Sequence, residues 1–434
     1  MKRFSILVFI VVVLAAYAAG VSYTGQQAEQ ALEEELSRLQ SRAPFPVALN
    51  LIGQRGFFAS NYRLEVILDN PPAEVRQLLG GDIIPFDLAV SNGFLTADYL
   101  LRFSPGVIQD HLLQWQNTAS NALPEFRLAL SLDPFNQTLS HQSSLNSPAL
   151  TIPLNQGTFV FGELQADAEF SAGELNMAAN FEGLELTVPA GRFAVGVMTL
   201  EQHAVLVPGT DLHSGQYATA HAQLLLGPVM MDAMRSQFRF QSLTMEMQQQ
   251  ADAPRLYLDS RSRIDGFEMQ DKTSDKHFEF NHMLLDSRLD VDLAAAMALT
   301  ATLAQMTPQQ ASDPLTILPV LDSLTRQGVT LQFNQVELES EHGRLNATGD
   351  VVVGNLALDQ LMADPNLLQK RLLIDLELAM DIAMVTNLDD PQVTGRLEHL
   401  KAEGYLVEQA GKLTSRIQLE QGELRINEIL VGKL

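Results

Sequence analysis

Beyond Pro46, apolar side chains recur at every second position, and that period decides the fold class. Phe126, Leu128, Leu130 and Leu132 alternate with Arg127, Ala129 and Ser131. Further on, Leu372, Ile374, Leu376, Leu378, Met380 and Ile382 alternate with Leu373, Asp375, Glu377, Ala379 and Asp381. A period of two sends one set of side chains to each face of a strand. The same alternation marks 238–240, 256–258, 278–280 and 329–339. One apolar and one wet face is the pattern of antiparallel sheet. The expected class is α+β, mainly β, with large curved antiparallel sheet packed on a few apolar helices.

Glycines punctuate the strands. Gly162-Glu163-Leu164 recurs eleven residues later as Gly173-Glu174-Leu175, with Ala168 matching Ala179 and Phe170 matching Phe181. Gly343-Arg344-Leu345, followed by Gly349 and Val351, repeats it loosely, and Gly422-Glu423-Leu424 opens the last strand. Glycine tolerates φ > 0, so each is read as a hairpin turn leading into a strand. Helices are expected mainly in the C-terminal half. Asp292 caps an uncharged run, 293–306, that stops before Pro308; Asp313-Pro314 and Asp364-Pro365 are caps followed by a first-turn proline. The 293–306 run is apolar on nearly every side and short for a bilayer, so it is expected to lie enclosed by sheet. The Ser-, Asn-, Gln- and Pro-rich stretch 133–156 reads as a loop and a weak boundary within the body.

The N-terminus speaks to location. Lys2 and Arg3 precede residues 4–21, which carry no charge. At 1.5 Å per residue this run is about 27 Å long, close to the thickness of a bilayer core. It exceeds the roughly 7–15 apolar residues of a signal peptide, so it reads as an uncleaved transmembrane anchor, with Ala16-Tyr17-Ala18 as the rival cleavage site. The basic pair lies before the span and Glu29, Glu33, Glu34 and Glu35 after it, which orients the N-terminus to the cytoplasm and the body outward. Thr24-Gly25-Gln26-Gln27 forms a capping box for a helix striped by Ala28, Leu32, Leu36 and Leu39. That stripe docks on the body or, as a rival, forms a dimer seam. The expected division is 1–25 stub and anchor, 26–43 spacer helix and 44–434 β-rich body.

Composition removes several functions. With 52 acidic against 28 basic side chains the net charge is −24, which repels the phosphate backbone of nucleic acids. The absence of cysteine excludes disulfides, thiolate metal sites, iron–sulfur clusters and a cysteine nucleophile. No phosphate-binding glycine loop, His-Glu-x-x-His or Gly-x-Ser-x-Gly is present. His203, His213 and His221 share parity, but Pro208, Gly209 and Gly215 interrupt the strand that would align them, so they are read as ordinary surface or core histidines. His277 and His282, five apart, suit no common face. Glu337, Glu339 and Glu341 read as a wet strand face that blunts a sheet edge. Asp286, Asp290 and Asp292 read as the wet side of a strand running into a helix cap. No catalytic residue, cofactor or metal ligand is assigned.

The two ends of the chain carry a distinctive set of residues: Tyr23-Thr24-Gly25 closing the apolar run, Arg55-Gly56-Phe57-Phe58-Ala59-Ser60 opening a strand, Gly404-Tyr405-Leu406, Gly411, and Gly422-Glu423-Leu424-Arg425-Ile426-Asn427. This set resembles the YdgA-like family of uncharacterised, membrane-anchored bacterial proteins, a domain of unknown function that covers nearly the whole chain. Phe103-Ser104-Pro105-Gly106 stands where that family usually carries His-Gly-Pro, and Glu428 follows Asn427 where glycine is common. The resemblance implies a single-pass inner-membrane protein with a periplasmic body and brings no activity with it. Tyr23, Thr24, Gly25, Arg55, Gly56, Phe58, Ser60, Gly404, Gly411, Gly422 and Asn427 are therefore read as structural, Gly56 making a turn and Phe57 or Phe58 anchoring the core. The function expected is that of a non-catalytic envelope protein with a groove between sheet and helix for a lipid or another apolar ligand. The alternatives are a homo-oligomerising scaffold, a dimer through 26–40 or a strand edge, and an unrecognised envelope hydrolase.

Overall fold

Alternation becomes antiparallel strand throughout the computed structural model, which describes residues 47–433 apart from short breaks, 306–321 being the longest, and a few positions before 47. The 4–21 run, Tyr23-Thr24-Gly25, most of the spacer helix, Arg55 and Asp313-Pro314 lie outside the described residues. Among the described residues no helix is long and apolar enough to cross a membrane. The chain divides into two compact units, residues 1–184 and 185–434.

The first unit contains β1 (Val47–Gln54), β2 (Ala59–Leu68), β3 (Ile83–Asn92), β4 (Thr96–Phe103), α1 (Val107–Trp115), β5 (Glu125–Asp133), β6 (Thr138–Ser147), β7 (Leu150–Leu154), β8 (Gly157–Phe161), β9 (Leu164–Ser171) and β10 (Glu174–Phe181). The ladder runs β1-β2-β3-β4-β5-β6-β9-β10, antiparallel at every step. Register brings the apolar sets together: Tyr62 faces Leu88, Leu88 faces Leu101 and Leu101 faces Phe126. Tyr62, Leu88, Val90, Ala97 and Tyr99 form the buried centre of that face. Burial pushes the Tyr99 hydroxyl well above its ordinary pKa, and the neighbouring Tyr62 adds to the effect. A second cluster forms where Ile108 and Leu112 of α1 meet Leu150.

Two expectations fail here. The 133–156 stretch is not a loop: it supplies β6 and β7, because β5 and β9 pair with β6 on both sides and take up its backbone groups whatever its polar side chains prefer. Phe57 and Phe58 are not core anchors. They stack edge to face at 4.7 Å in the turn before β2 and both stay exposed. The buried residue there is Ser60, whose hydroxyl accepts a hydrogen bond from the Gly56 N–H at 3.0 Å.

β11 (Leu184–Val188) spans the division. The second unit continues with β12 (Gly191–Val195), β13 (Met198–Leu206), β14 (Tyr217–Leu226), β15 (Val229–Ala233), β16 (Ser236–Phe240), β17 (Ser242–Asp252), β18 (Arg255–Asp271), β19 (Lys276–Asp292), α2 (Leu293–Gln305), β20 (Val329–Ser340) and β21 (Gly343–Val353). It closes with α3 (Leu358–Ala363), α4 (Asn366–Arg371), β22 (Leu372–Asp381), α5 (Ala383–Thr386), α6 (Pro391–Ala402), β23 (Val407–Gln409), β24 (Lys412–Glu420), β25 (Glu423–Ile426) and β26 (Ile429–Lys433). The main ladder is β13-β14-β17-β18-β19-β20-β21-β22-β24-β25-β26. β12, β15 and β16 form a second run that pairs with the far half of β18.

A line of kinks separates the two runs. Gly196 N–H donates to Pro228 O at 2.7 Å, Gly227 N–H to Val197 O at 2.6 Å and Gln241 N–H to Asp265 O at 2.8 Å. Gly266 sits on the same line with φ 61°. Register carries through: Leu226 faces Leu243 below the line and Val229 faces Phe240 above it. The apolar positions, however, change parity. Below the line β18 and β19 present Leu256, Leu258 and Ile264 against Val291, Leu289 and Met283; above it they present Phe267 and Met269 against Phe280 and Phe278. Because β19 runs unbroken, the apolar side chains move to the other face of the sheet at this line.

The helix after β19 starts as expected, with Asp292 Oδ1 accepting the Ala295 N–H at 2.9 Å. It is not enclosed on all sides. Ala295 and Ala296 are buried while Ala294 and Ala298 are exposed, since the helix lies against the sheet along one flank. Asp364 caps α4 through Asn366 N–H at 3.1 Å. The glycine repeat resolves into different devices. Ala172-Gly173, Ala410-Gly411 and Gln421-Gly422 each place both residues at φ > 0, the two-residue hairpin of type I′. Gly162 is no hairpin turn; it lies between β8 and β9 and donates to Gly183 O at 2.7 Å. Gly349 is mid-strand, packed against the β22 backbone.

Candidate functional site

Above the kink line, one cross-strand row is apolar from end to end. Phe193 faces Met231, Met231 faces Phe238, Phe238 faces Met269 and Met269 faces Phe278. Five strands at roughly 4.8 Å spacing make a strip about 19 Å long. Phe193, Met231, Met269 and Phe278 remain between 38% and 42% exposed. A second aromatic row runs beside the strip on the same face: the Phe267 ring lies 5.4 Å from Phe238 and 6.0 Å from Phe280, and Phe238 lies 5.8 Å from Phe240. Towards the hairpin tips the next positions are small or polar, Ala233 opposite Gly191 and Ser236 opposite Asp271. On the reverse face Arg239 pairs with Glu268 at 2.5 Å. Sequence reading found the Phe238–Phe240 and Phe278–Phe280 alternation but missed the row. The signal was a three-residue step, Leu226 to Val229, Phe240 to Leu243, Ile264 to Phe267 and Phe280 to Met283, at one level of successive strands.

Below the line, on the polar face, β19, β20 and β21 converge at a second cluster. His282 stands opposite Glu339, and Glu339 opposite Arg344. His282 Nε2 lies 2.6 Å from Glu337 Oε1, and Nδ1 lies 3.7 Å from Glu339 Oε2. Arg344 reaches Glu339 Oε2 at 2.5 Å and Glu337 Oε1 at 3.3 Å. Gln335 Nε2 donates to Glu337 Oε2 at 2.7 Å. Glu337 is only 5% exposed. Burial pushes its carboxyl upward, but the hydrogen bonds from His282 and Gln335 and the Arg344 charge outweigh this and hold it below the usual range. The hydrogen bond to Glu339, then the charges of both glutamates, raise Arg344.

The wet-edge reading of Glu337 and Glu339 is therefore corrected: β20 is paired on both sides, and Glu337 is buried. Glu341 sits in the following turn, 3.2 Å from His342. His277 stands apart, opposite Gln270. His203 and His221 face each other directly across β13 and β14, while His213 is outside the described residues. Asp286 accepts a hydrogen bond from Asn334 at 2.8 Å and Asp290 pairs with Arg255 at 2.6 Å, as befits the wet side of a strand.

In the first unit a cleft of about 900 Å³ opens over Arg63, Asp87, Arg102 and Glu125, which alternate in sign across β2 to β5. Its charges are already matched: Glu125 holds Arg102 at 2.5 Å and Arg127 as well, and Asp87 accepts from Ser104 Oγ at 2.5 Å.

A family model described as bacterial protein of unknown function (DUF945) matches residues 1–429. The chain belongs to that family. No curated protein and no solved structure matches it. The DUF945 match takes in the apolar strip, the His282 cluster and the first-unit cleft alike. The described motif residues, Gly56, Phe58, Ser60, Gly404, Gly411, Gly422 and Asn427, belong to turns and loop contacts and join none of these three places.

Proposed function

We propose that this chain is a non-catalytic, inner-membrane-anchored envelope protein that seats one lipid acyl chain along Phe193, Met231, Phe238, Met269 and Phe278. The observation that carries the reading is that row: continuous and apolar across five strands, with four of its five side chains exposed. Its length of about 19 Å matches an acyl chain, since half of a bilayer core is about 15 Å. The open part of the apolar face is one side chain wide per strand, because the neighbouring row, Val195, Val229, Phe240, Phe267 and Phe280, is more covered. The exposed area is on the order of 300 Å², well below the about 800 Å² per partner of a stable protein interface. Two of the five residues are methionines, whose unbranched side chains adapt to a flexible ligand. The strip lies at the opposite end of β19 from α2, so the ligand face is sheet alone and not a sheet and helix groove.

The positive pair and apolar run at the N-terminus support an anchor that holds this face near its lipid source. The His282 cluster does not favour the hydrolase reading. A buried carboxylate held low, with neighbours on both oxygens, is poorly suited to give or take a proton near neutrality. The test is mass spectrometry of lipids extracted from the full-length protein purified in mild detergent. Specific acyl lipid retained through detergent exchange is expected; lipid only at the exchange background overturns the proposal.

A further inference from the structure

We infer that His282, Glu337 and Glu339 form a divalent-cation site of the zinc class, with Arg344 as the displaceable counter-ion that fills in for the metal. One imidazole and two carboxylates, drawn from adjacent strands, bring ligand atoms within 4.8 Å of one another. Zinc takes nitrogen and oxygen ligands at about 2.0–2.2 Å, which small side-chain rotations of such a set supply. Glu337 and Glu339 are two apart on β20 and share a face; His282 stands directly across from Glu339, so the strand register itself holds the three together. Gln335 donates to the second oxygen of Glu337, the outer hydrogen bond that orients a metal-binding carboxylate.

Charge explains the role of Arg344. The two carboxylates outnumber the one guanidinium around a Glu337 that is 5% exposed. Exchanging the guanidinium for a divalent cation removes that excess. Arg344 is half exposed, so its guanidinium can leave the glutamates for solvent without breaking a packed core. It also has an acid nearby: Asp381, whose Oδ2 accepts the Arg344 backbone N–H at 2.8 Å. The class of metal follows from the ligands, since imidazole with carboxylates suits zinc, whereas an all-oxygen set would suit calcium or magnesium. This site is independent of the apolar strip, which lies on the other side of the kink line.

The experiment is calorimetric titration of zinc chloride into chelator-treated, full-length protein in detergent. One zinc ion per chain is expected, with a dissociation constant on the order of micromolar. His282→Ala and Glu337→Gln are each expected to weaken binding by at least about tenfold. Arg344→Ala, which removes the competitor and keeps every ligand, is expected to tighten it. His221→Ala, at the other paired histidines, is expected to change nothing. If Glu337→Gln does not fold, the more exposed Glu339→Gln takes its place. Saturation absent at 100-fold that concentration, or binding that survives loss of His282 or of either glutamate, overturns the inference.

Discussion

Asn427 ties the C-terminal meander to Gly404: its side-chain amide donates to the Gly404 carbonyl at 3.0 Å and to the Tyr405 carbonyl at 3.1 Å. The same side chain accepts the Arg416 N–H through Oδ1 at 2.8 Å. Gly404, at φ 77°, ends α6, and its N–H returns to Lys401 O at 3.0 Å. Two motif positions far apart in sequence are thus one contact. Asparagine suits the place because it tolerates its φ of 47° better than other side chains do.

Asn427→Ala is therefore expected to cost about 2–4 kcal/mol, combining three lost hydrogen bonds with left-handed strain. Asn427→Gly relieves the strain and should cost less. Urea unfolding of both variants checks the ranking, and an alanine variant as stable as the parent would contradict the assignment.

Gly349 makes a sharper test of packing. Its φ is 147°, and an added Cβ would lie 2.0 Å from the Asp375 carbonyl oxygen on β22. Backbone cannot yield as a flexible side chain can. Gly349→Ala should destabilise by about 3 kcal/mol or more, whereas Gly432→Ala, with nothing within 4 Å, should stay within about 1 kcal/mol of the parent. Thermal unfolding of the pair measures the contrast.

Stability should depend on acid in a defined direction. Glu337 and Glu125 are pushed up by burial but held below their ordinary value of 4.5 by their hydrogen bonds and positive neighbours acting together. Asp375 is held below 3.8, chiefly by the hydrogen bond from Arg416. A folded pKa below the unfolded one gives stabilisation that is complete above the unfolded value and lost as pH falls through the folded value. The melting temperature should change little from these groups between roughly pH 7 and pH 5.5 and then fall below about pH 4.5. Glu337→Gln should make that acid limb shallower. A limb of unchanged slope would mean Glu337 is not among the linked groups.

The apolar strip predicts a separation of binding from stability. Phe278 is 41% exposed, so Phe278→Asp should shift unfolding free energy by no more than about 1 kcal/mol. Loss of its contact should weaken a fluorescent fatty-acid probe by about tenfold, corresponding to about 1.4 kcal/mol. Leu285→Asp, equally exposed on the other face, is the control. Equal effects of the two substitutions on probe binding would dismiss the strip as the site.

Much of the first layer of structure was legible in the residues. The alternation at 329–339 and 372–382 became β20 and β22, Asp292 became a helix cap, and Gly173, Gly411 and Gly422 became tight turns. These features are set within a few residues, by side-chain parity, by a carboxylate near free N–H groups and by glycine at φ > 0. Where the polar sequence around 140–147 argued for loop, pairing with β5 and β9 overruled it.

Partners at long range were not legible. His282 meets Glu337 across 55 positions, and Phe193 reaches Phe278 only through three intervening strands. Sequence by itself determined an acidic, cysteine-free chain of alternating strands with an uncharged N-terminal run. Tertiary structure alone decided which strands pair, in what register, and at which level the apolar side chains cross to the other face. The reason is geometric: parity assigns a residue to one of two faces, but only the register between strands says whose side chain it meets there.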